Sequence, residues 1–107
     1  MSTRASLPLS REQIEAFCEK WGIVELGLFG SAVRGELRPD SDIDVLVSFE
    51  PESRLSLLDV AHIENELADL VGRRVDLVER SAVERSPNYI RRRSILGSVV
   101  PIYAKPR

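Results

Sequence analysis

Apolar residues recur at intervals of three or four along residues 10–21, a period that is typical of an amphipathic helix. Ser10 and Gln13 have the spacing of a capping box at its start, and Gly22 is the type of residue that ends helices in the left-handed conformation. The apolar stripe of this predicted helix comprises Ile14, Phe17, Cys18 and Trp21. The first expected element is therefore a helix over residues 10–21, and the nine residues before it are expected to be flexible.

Two later stretches show the same period. One starts at Leu57 or Val60 and stops at Gly72, a second glycine suited to end a helix. The other covers residues 87–96 and begins with a proline, which is favoured in the first turn of a helix. The pattern does not define where this last helix ends before the apolar residues 99–102. The final residues, 105–107, are expected to be flexible.

Three shorter apolar runs predict β-strands over residues 24–29, 42–49 and 74–78. A short helix is expected to start at Ser31, directly after the first strand. This order of elements predicts one α/β (α+β) domain spanning residues 1–107, with a small mixed β-sheet flanked by helices.

The second and third of these strands carry acidic residues among apolar neighbours. Side chains two positions apart on a strand point to the same face, so Asp42 and Asp44 are expected to share a face, and Asp76 can lie beside Asp44. The apolar neighbours are expected to hold Asp44 and Asp76 half-buried, where an unpaired charge is costly. Mg²⁺ prefers oxygen ligands and is usually held by one or two carboxylates plus substrate phosphates. The pattern predicts a divalent metal site and a nucleotide, with three purely structural carboxylates as the alternative.

Gly30 and Ser31 lie at the predicted turn from the first strand into the short helix. Glycine lets the backbone approach a ligand closely, the serine hydroxyl is a hydrogen-bond donor, and the free amides at a helix start favour an anion. Arg34 and Arg38 follow in the next loop, where their guanidinium groups can reach phosphate oxygens. We therefore expect this turn to bind a terminal phosphate.

Composition narrows the possible functions. A formal net charge of −2 argues against general nucleic-acid binding. No apolar run approaches the ~20 residues that span a bilayer, and the N-terminus lacks the apolar stretch of a signal peptide, so a cytoplasmic protein is expected. Cys18 is interpreted as a core thiol, and the single histidine, His62, leaves little material for a zinc site or a catalytic triad.

A basic group near the C-terminus is interpreted as a solvated helix face, with contact to an acidic partner or RNA as the alternative. Its members are Arg85, Arg91, Arg92 and Arg93, followed by Lys105 and Arg107.

The arrangement of Gly30-Ser31, ten further residues and Asp42-x-Asp44, with Asp76 on a later strand, resembles the signature of the DNA polymerase β-like nucleotidyltransferase superfamily. The surrounding segments 28–35 and 41–47 and the ending 102–104 resemble its minimal nucleotidyltransferase (MNT) branch, and nearly the whole chain is covered. The resemblance implies a polymerase β-like nucleotidyltransferase core. In that branch the small protein is typically paired with a HEPN-domain toxin and transfers AMP from ATP to a tyrosine of the toxin. By resemblance, this chain is the antitoxin.

The resemblance also assigns roles to the motif residues. It matches Gly30 and Ser31 to phosphate binding and Asp42 and Asp44 to metal binding. It matches Asp76 to the third carboxylate, which supports the metal and activates the acceptor hydroxyl. The implied cofactor is Mg²⁺, as two ions, with ATP as the substrate. No motif residue is missing, unlike in degenerate members that have lost carboxylates and act only by binding.

Three functions remain open at this point. The chain can be an AMP-transferring antitoxin, a non-catalytic antitoxin that masks its toxin, or a nucleotidyltransferase subunit that acts on a small molecule or a nucleic acid. The intact carboxylates favour the first over the second. A chain of 107 residues is expected to lack an acceptor-binding domain, so a partner protein or a second copy in a homo-oligomer would supply the acceptor site. The sequence does not define the modified residue, the number of AMP units or the oligomeric state.

Overall fold

The computed structural model describes residues 7–30, 33 and 42–105. Four helices and four strands lie within these residues, with the helices flanking one sheet. In chain order they are α1 Arg11–Trp21, β1 Ile23–Phe29, β2 Ile43–Phe49, α2 Leu57–Val71, β3 Val75–Glu79, α3 Arg80–Glu84, α4 Tyr89–Ser98 and β4 Val100–Ala104. The α+β architecture expected from the sequence is confirmed.

The four strands form one mixed sheet in the order β3-β2-β1-β4. β1 runs antiparallel to both β2 and β4, whereas β3 runs parallel to β2, to which it is connected through α2. β4 was not predicted, because Pro101 interrupts its short apolar run. Its place at the edge of the sheet explains how the proline is accommodated, since an edge strand does not need every backbone N–H for pairing.

Capping boxes fix the starts of both long helices. The Ser10 amide donates to Gln13 Oε1 at 2.8 Å, and the Gln13 amide donates back to Ser10 Oγ at 3.1 Å. Ser56 and Asp59 form the same reciprocal pair at 2.9 and 3.2 Å, which places the start of α2 at Leu57. The predicted capping box of α1 is confirmed, and the open choice for the start of α2 is settled in favour of the earlier residue.

The sheet separates a large core from a small one. Alternate residues of β2 point to opposite faces, so Ile43, Val45 and Val47 enter the large core with α1 and α2, whereas Leu46 enters the small one. The small core consists of Phe29, Leu46, Val83 and Ile95 and joins the sheet to α3 and α4. Asp44, two residues before Leu46, therefore belongs to the face that carries α4.

The last two helices differ most from the sequence pattern. α3 was missed because five residues are too few to show a helical period, and it has no side-chain cap. α4 begins at Tyr89 rather than residue 87, because Asn88 is its N-cap and accepts from the Arg91 amide at 3.0 Å. Ile95 is the buried residue of this helix, whereas Ile90 is 79% exposed.

Residues close to both chain ends pack against the rest of the domain. Leu7 lies in the large core and Leu9 packs against it. The Lys105 amide donates to the Val24 carbonyl at 2.8 Å, which extends the pairing of β4 with β1. Residues 1–6 and 106–107 lie outside the described part, so the expected flexibility of the chain ends stays a prediction.

The predicted core position of Cys18 is confirmed. Cys18 is fully buried, and burial followed by the nearby Glu19 charge raises the pKa of its thiol to about 12, as expected for a core residue. His62 is exposed on α2, with its ring centroid 6.0 Å from that of Trp21. None of the helices in residues 7–30 and 42–105 is long and apolar enough to cross a membrane.

Candidate active site

The register of the parallel strands brings two of the predicted acidic residues side by side. Asp44 of β2 is paired with Asp76 of β3. Paired residues on neighbouring strands point to the same face, about 5 Å apart. The expectation that Asp76 lies beside Asp44 is confirmed, and both carboxylates belong to the face of the sheet that α4 covers.

Gly30 forms a close contact with this carboxylate pair. It directly follows β1, has a φ of +72°, and approaches Asp44 so closely that a Cβ at this position would lie 2.3 Å from Asp44 Oδ2. The Val33 amide donates to the Gly30 carbonyl at 3.1 Å, and Val33 is helical. A glycine is thus required where β1 turns toward the predicted helix. The absence of a side chain makes room for the Asp44 carboxylate close to the backbone.

Three residues of the predicted phosphate site lie outside the described part of the chain. They are Ser31, Arg34 and Arg38. Their roles in nucleotide binding stay predictions.

Asp42 forms an ion pair outside the carboxylate pair. It lies one residue before β2, and its Oδ1 is 3.4 Å from Nε of Arg74, an exposed residue just before β3. Within the described ranges, no three His, Cys, Asp or Glu side chains are grouped closely enough to hold a metal ion. The metal-binding role of Asp42 stays a prediction.

The burial of the paired carboxylates differs from one to the other. Asp44 is partly buried, as expected from its apolar neighbours, but Asp76 is exposed. The prediction was wrong for Asp76 because β3 is an edge strand and only Val75 and Leu77 face the large core. Asp76 is therefore accessible to a ligand or an acceptor group from solvent.

A cleft of about 550 Å³ lies between the carboxylate pair and α4. It is lined by residues of the strands and by one side of the helix with its cap. The strand residues are Phe29, Gly30, Asp44 and Asp76, and the helix residues are Asn88, Ile90, Arg91, Ser94, Ile95 and Ser98. The carboxylates therefore face a cavity large enough for a small molecule, in the size range of ligand pockets.

The contribution of α4 to this cleft was missed by the sequence analysis. Arg91 was interpreted as part of a solvated basic face, yet it lines the cleft opposite the carboxylates. The available signal is spacing: Arg91 and Ile95 are four residues apart and therefore on one side of the helix. Since Ile95 is buried in the small core, that side of α4 must face the sheet.

The arrangement fits a divalent cation with a phosphorylated ligand. Two neighbouring carboxylates, one of them exposed, provide hard oxygen ligands, and Mg²⁺ typically combines one or two such ligands with substrate phosphates and water. The space that a Cβ of residue 30 would need is taken by the Asp44 carboxylate, so Gly30 allows this carboxylate to lie against the backbone at the end of β1.

Comparison with known sequences points to one family. Residues 10–99 match the family of the nucleotidyltransferase domain. A curated relative, the protein adenylyltransferase MntA of Thermococcus cleftensis, is 48% identical over 66 residues, which cover 62% of this chain and 65% of the relative. The chain thus spans just under two thirds of the length of that relative.

Comparison with solved structures gives the same fold. A candidate minimal nucleotidyltransferase is 38% identical and superposes with a TM-score of 0.67, covering 86% of this chain and 88% of the other. The MNT antitoxin of Shewanella oneidensis, solved in complex with a tri-AMPylated HEPN toxin, has a TM-score of 0.59 at 19% identity, with coverages of 88% and 69%. At that identity, the second likeness shows the fold alone.

Proposed function

Since this chain belongs to the nucleotidyltransferase domain family, we propose that it is an antitoxin that transfers AMP from ATP to a tyrosine hydroxyl of a HEPN-domain toxin. Support comes from the relative named as a protein adenylyltransferase and from the fold shared with an MNT antitoxin that binds an AMPylated HEPN toxin. The reaction takes place in the cytoplasm, where ATP is available.

The pairing of Asp44 with Asp76 beside Gly30 is the observation that carries this proposal. Asp44 and Asp76 would hold Mg²⁺, and Asp42 would complete a site for two ions. When bound, Mg²⁺ neutralises charge on the phosphates and favours the deprotonated acceptor oxygen. Gly30 and the Ser31 hydroxyl position the phosphates, and Arg34 and Arg38 supply further phosphate contacts from the loop that follows.

Asp76 has the position expected of the residue that accepts the acceptor proton. Its carboxylate is exposed, so a tyrosine hydroxyl of another protein can reach it. The tyrosine oxygen forms a bond to the α-phosphorus, the bond from that phosphorus to the pyrophosphate oxygen breaks, and the hydroxyl proton passes to Asp76. Pyrophosphate is the leaving group, and the AMP-modified tyrosine is the product.

Asp42 would join the site by exchanging its partner. Its contact with Arg74 is between exposed groups, and such ion pairs contribute only about 0–1 kcal/mol. Asp42 would therefore leave Arg74 at little cost if a divalent cation were bound next to Asp44. The ion pair of Asp42 with Arg74 is thus compatible with a three-carboxylate site in the metal-bound enzyme.

A masking antitoxin is the second candidate, and the ion pair that engages Asp42 with Arg74 is the observation that favours it. Such a protein neutralises its toxin by stable binding and does not transfer AMP. Its activity would be independent of ATP and of the carboxylates.

Intact-mass spectrometry distinguishes the two functions. The chain is incubated with a candidate HEPN-domain toxin, with Mg²⁺ and either ATP or the non-hydrolysable analogue in which the α–β bridge is a methylene group. The proposal predicts an increase of the partner mass by one or more AMP units with ATP only, and no increase in the presence of a chelator. An unchanged mass together with loss of toxin activity would support masking.

A further inference from the structure

The cleft beside Asp44 and Asp76 contains one described cation. Of the described residues that line it, Asp44 and Asp76 are acidic and only Arg91 is basic. A nucleoside triphosphate carries several negative charges, so a lining with carboxylates alone would repel it wherever metal ions do not compensate. Arg91 adds a positive group on the α4 side of the cleft, beyond the metal and the loop arginines of the proposed function.

The three consecutive arginines of α4 differ in their contacts. Arg92 donates from Nη1 to the Ser86 carbonyl at 2.8 Å and lies over the Tyr89 ring, and Arg93 donates to the Tyr89 hydroxyl at 3.4 Å. In the described part of the chain, the Arg91 guanidinium makes no hydrogen bond or ion pair, although its backbone amide is fixed by the Asn88 cap. Arg91 is thus the member of the group that is available to a ligand.

The position of Arg91 on α4 is set by Ile95, which packs against the end of β1. Ile95, one helical turn further along α4, shares the small core with Phe29, and Phe29 directly precedes Gly30. The side of α4 that carries Arg91 is therefore anchored over the end of β1, where the phosphates are expected. This anchoring favours the nucleotide over the acceptor protein as the ligand of Arg91.

We infer that Arg91 is a nucleotide-binding residue whose guanidinium contacts phosphate oxygens of ATP across the cleft from Asp44 and Asp76. This inference rests on the proposed function, which supplies ATP as the substrate. The planar guanidinium can donate two parallel hydrogen bonds to a phosphate group. Such a contact also stabilises the negative charge that develops on the leaving pyrophosphate.

Arg91→Ala and Arg93→Ala form a matched pair that tests the inference. Both remove one positive charge from the same helix, but only Arg91 lines the cleft. Isothermal titration with AMP-PNP and Mg²⁺ gives the affinity. Arg91→Ala is expected to weaken binding about tenfold, the lower end of the range for a hydrogen bond to a charged group, because Arg91 is exposed. Arg93→Ala is expected to change the affinity by less than about twofold.

A conservative variant separates a ligand contact from a structural role. Arg91→Lys keeps the charge but loses the planar fork, so it is expected to recover part of the affinity that Arg91→Ala loses. The thermal midpoints of both variants should equal that of the unchanged protein without ligand. Arg91→Gln, which keeps a polar side chain of similar length, replaces Arg91→Ala if the alanine variant does not fold.

The possible outcomes are distinct. Equal AMP-PNP affinities of the Arg91 and Arg93 variants would overturn the inference but leave the proposed function intact. An unchanged affinity for AMP-PNP with a raised KM for the toxin would place Arg91 on the acceptor side and would also overturn it. Failure of the unchanged protein to bind AMP-PNP would contradict the proposed function itself, and the inference with it.

Discussion

Replacing Gly30 with alanine tests how closely the backbone must approach Asp44. Gly30 has a φ of +72°, and a Cβ there would lie 2.3 Å from Asp44 Oδ2. The left-handed backbone alone costs alanine about 1–2 kcal/mol. The carboxylate must also move, because 2.3 Å is far below the roughly 3.5–4 Å at which non-bonded heavy atoms attract each other. Gly30→Ala is therefore expected to affect both stability and the position of Asp44.

Gly72→Ala is the matched control. Gly72 has a similar φ of +74°, but a Cβ there would meet no atom within 4 Å. Gly72→Ala is expected to lower the free energy of unfolding by about 1–2 kcal/mol and to leave AMP transfer unchanged. Gly30→Ala is expected to cost at least as much stability and to reduce the rate about 100-fold, the typical effect of a catalytic group misplaced by about 1 Å.

Urea denaturation followed by circular dichroism measures the stability of both variants, and the initial rate of AMP transfer measures their activity. The rates are compared at a temperature at which both variants are folded. A Gly30→Ala variant as active as Gly72→Ala would refute the reasoning, because the close approach of the backbone to Asp44 would then be irrelevant to the chemistry.

Further predictions concern the ends of the chain, the core thiol and the Arg74 ion pair. Leu7→Ala truncates a side chain that is 6% exposed and should lower the free energy of unfolding by about 2 kcal/mol or more. Leu57→Ala, at a residue that is 88% exposed, should change this free energy by less than about 0.5 kcal/mol. Equal losses of stability would contradict the packing of Leu7. Burial raises the pKa of the Cys18 thiol from 9.0 to about 12. Because the thiol is deprotonated at a lower pH in the unfolded chain than in the folded protein, the free energy of unfolding should fall as the pH rises from about 9 to about 12. Urea titrations of Cys18→Ala should lack this part of the pH dependence, and an identical slope in both proteins would count against a buried thiol. Arg74→Ala releases the Asp42 carboxylate and should lower the Mg²⁺ concentration for half-maximal AMP transfer by up to about fivefold. Arg85→Ala, at another exposed position, should leave this concentration unchanged. An unchanged concentration for Arg74→Ala would show that the ion pair does not compete with the metal.

Features that depend on neighbours in the sequence could be predicted. The capping box of Ser10 and Gln13 defines the start of α1 because its donors and acceptors are three residues apart. The pairing of Asp44 with Asp76 could be anticipated because each lies within an apolar strand of similar pattern, and a helix of suitable length connects the two strands. Local periodicity and one connection therefore determine the central part of the site.

Features that depend on distant contacts could not be predicted. The partner of Asp42 is Arg74, which follows α2 in the chain and lies just before β3, the strand that neighbours β2. The side of α4 that faces the cleft is set by Ile95, whose burial depends on a second core that forms only after the sheet has assembled. Arg91 therefore has the sequence signature of a surface arginine, although it lines the cleft opposite Asp44.

The most direct test of the central claim compares two aspartate variants of equal charge change. Asp44→Asn removes the carboxylate that lies between Gly30 and Asp76, whereas Asp69→Asn removes an exposed carboxylate from α2. Intact-mass spectrometry of the HEPN partner after incubation with ATP and Mg²⁺ is the measurement. Asp69→Asn is expected to modify the partner as the unchanged protein does, and folded Asp44→Asn is expected to leave the partner mass unchanged. AMP transfer by Asp44→Asn at the rate of Asp69→Asn would contradict the assignment of this carboxylate pair as the catalytic site.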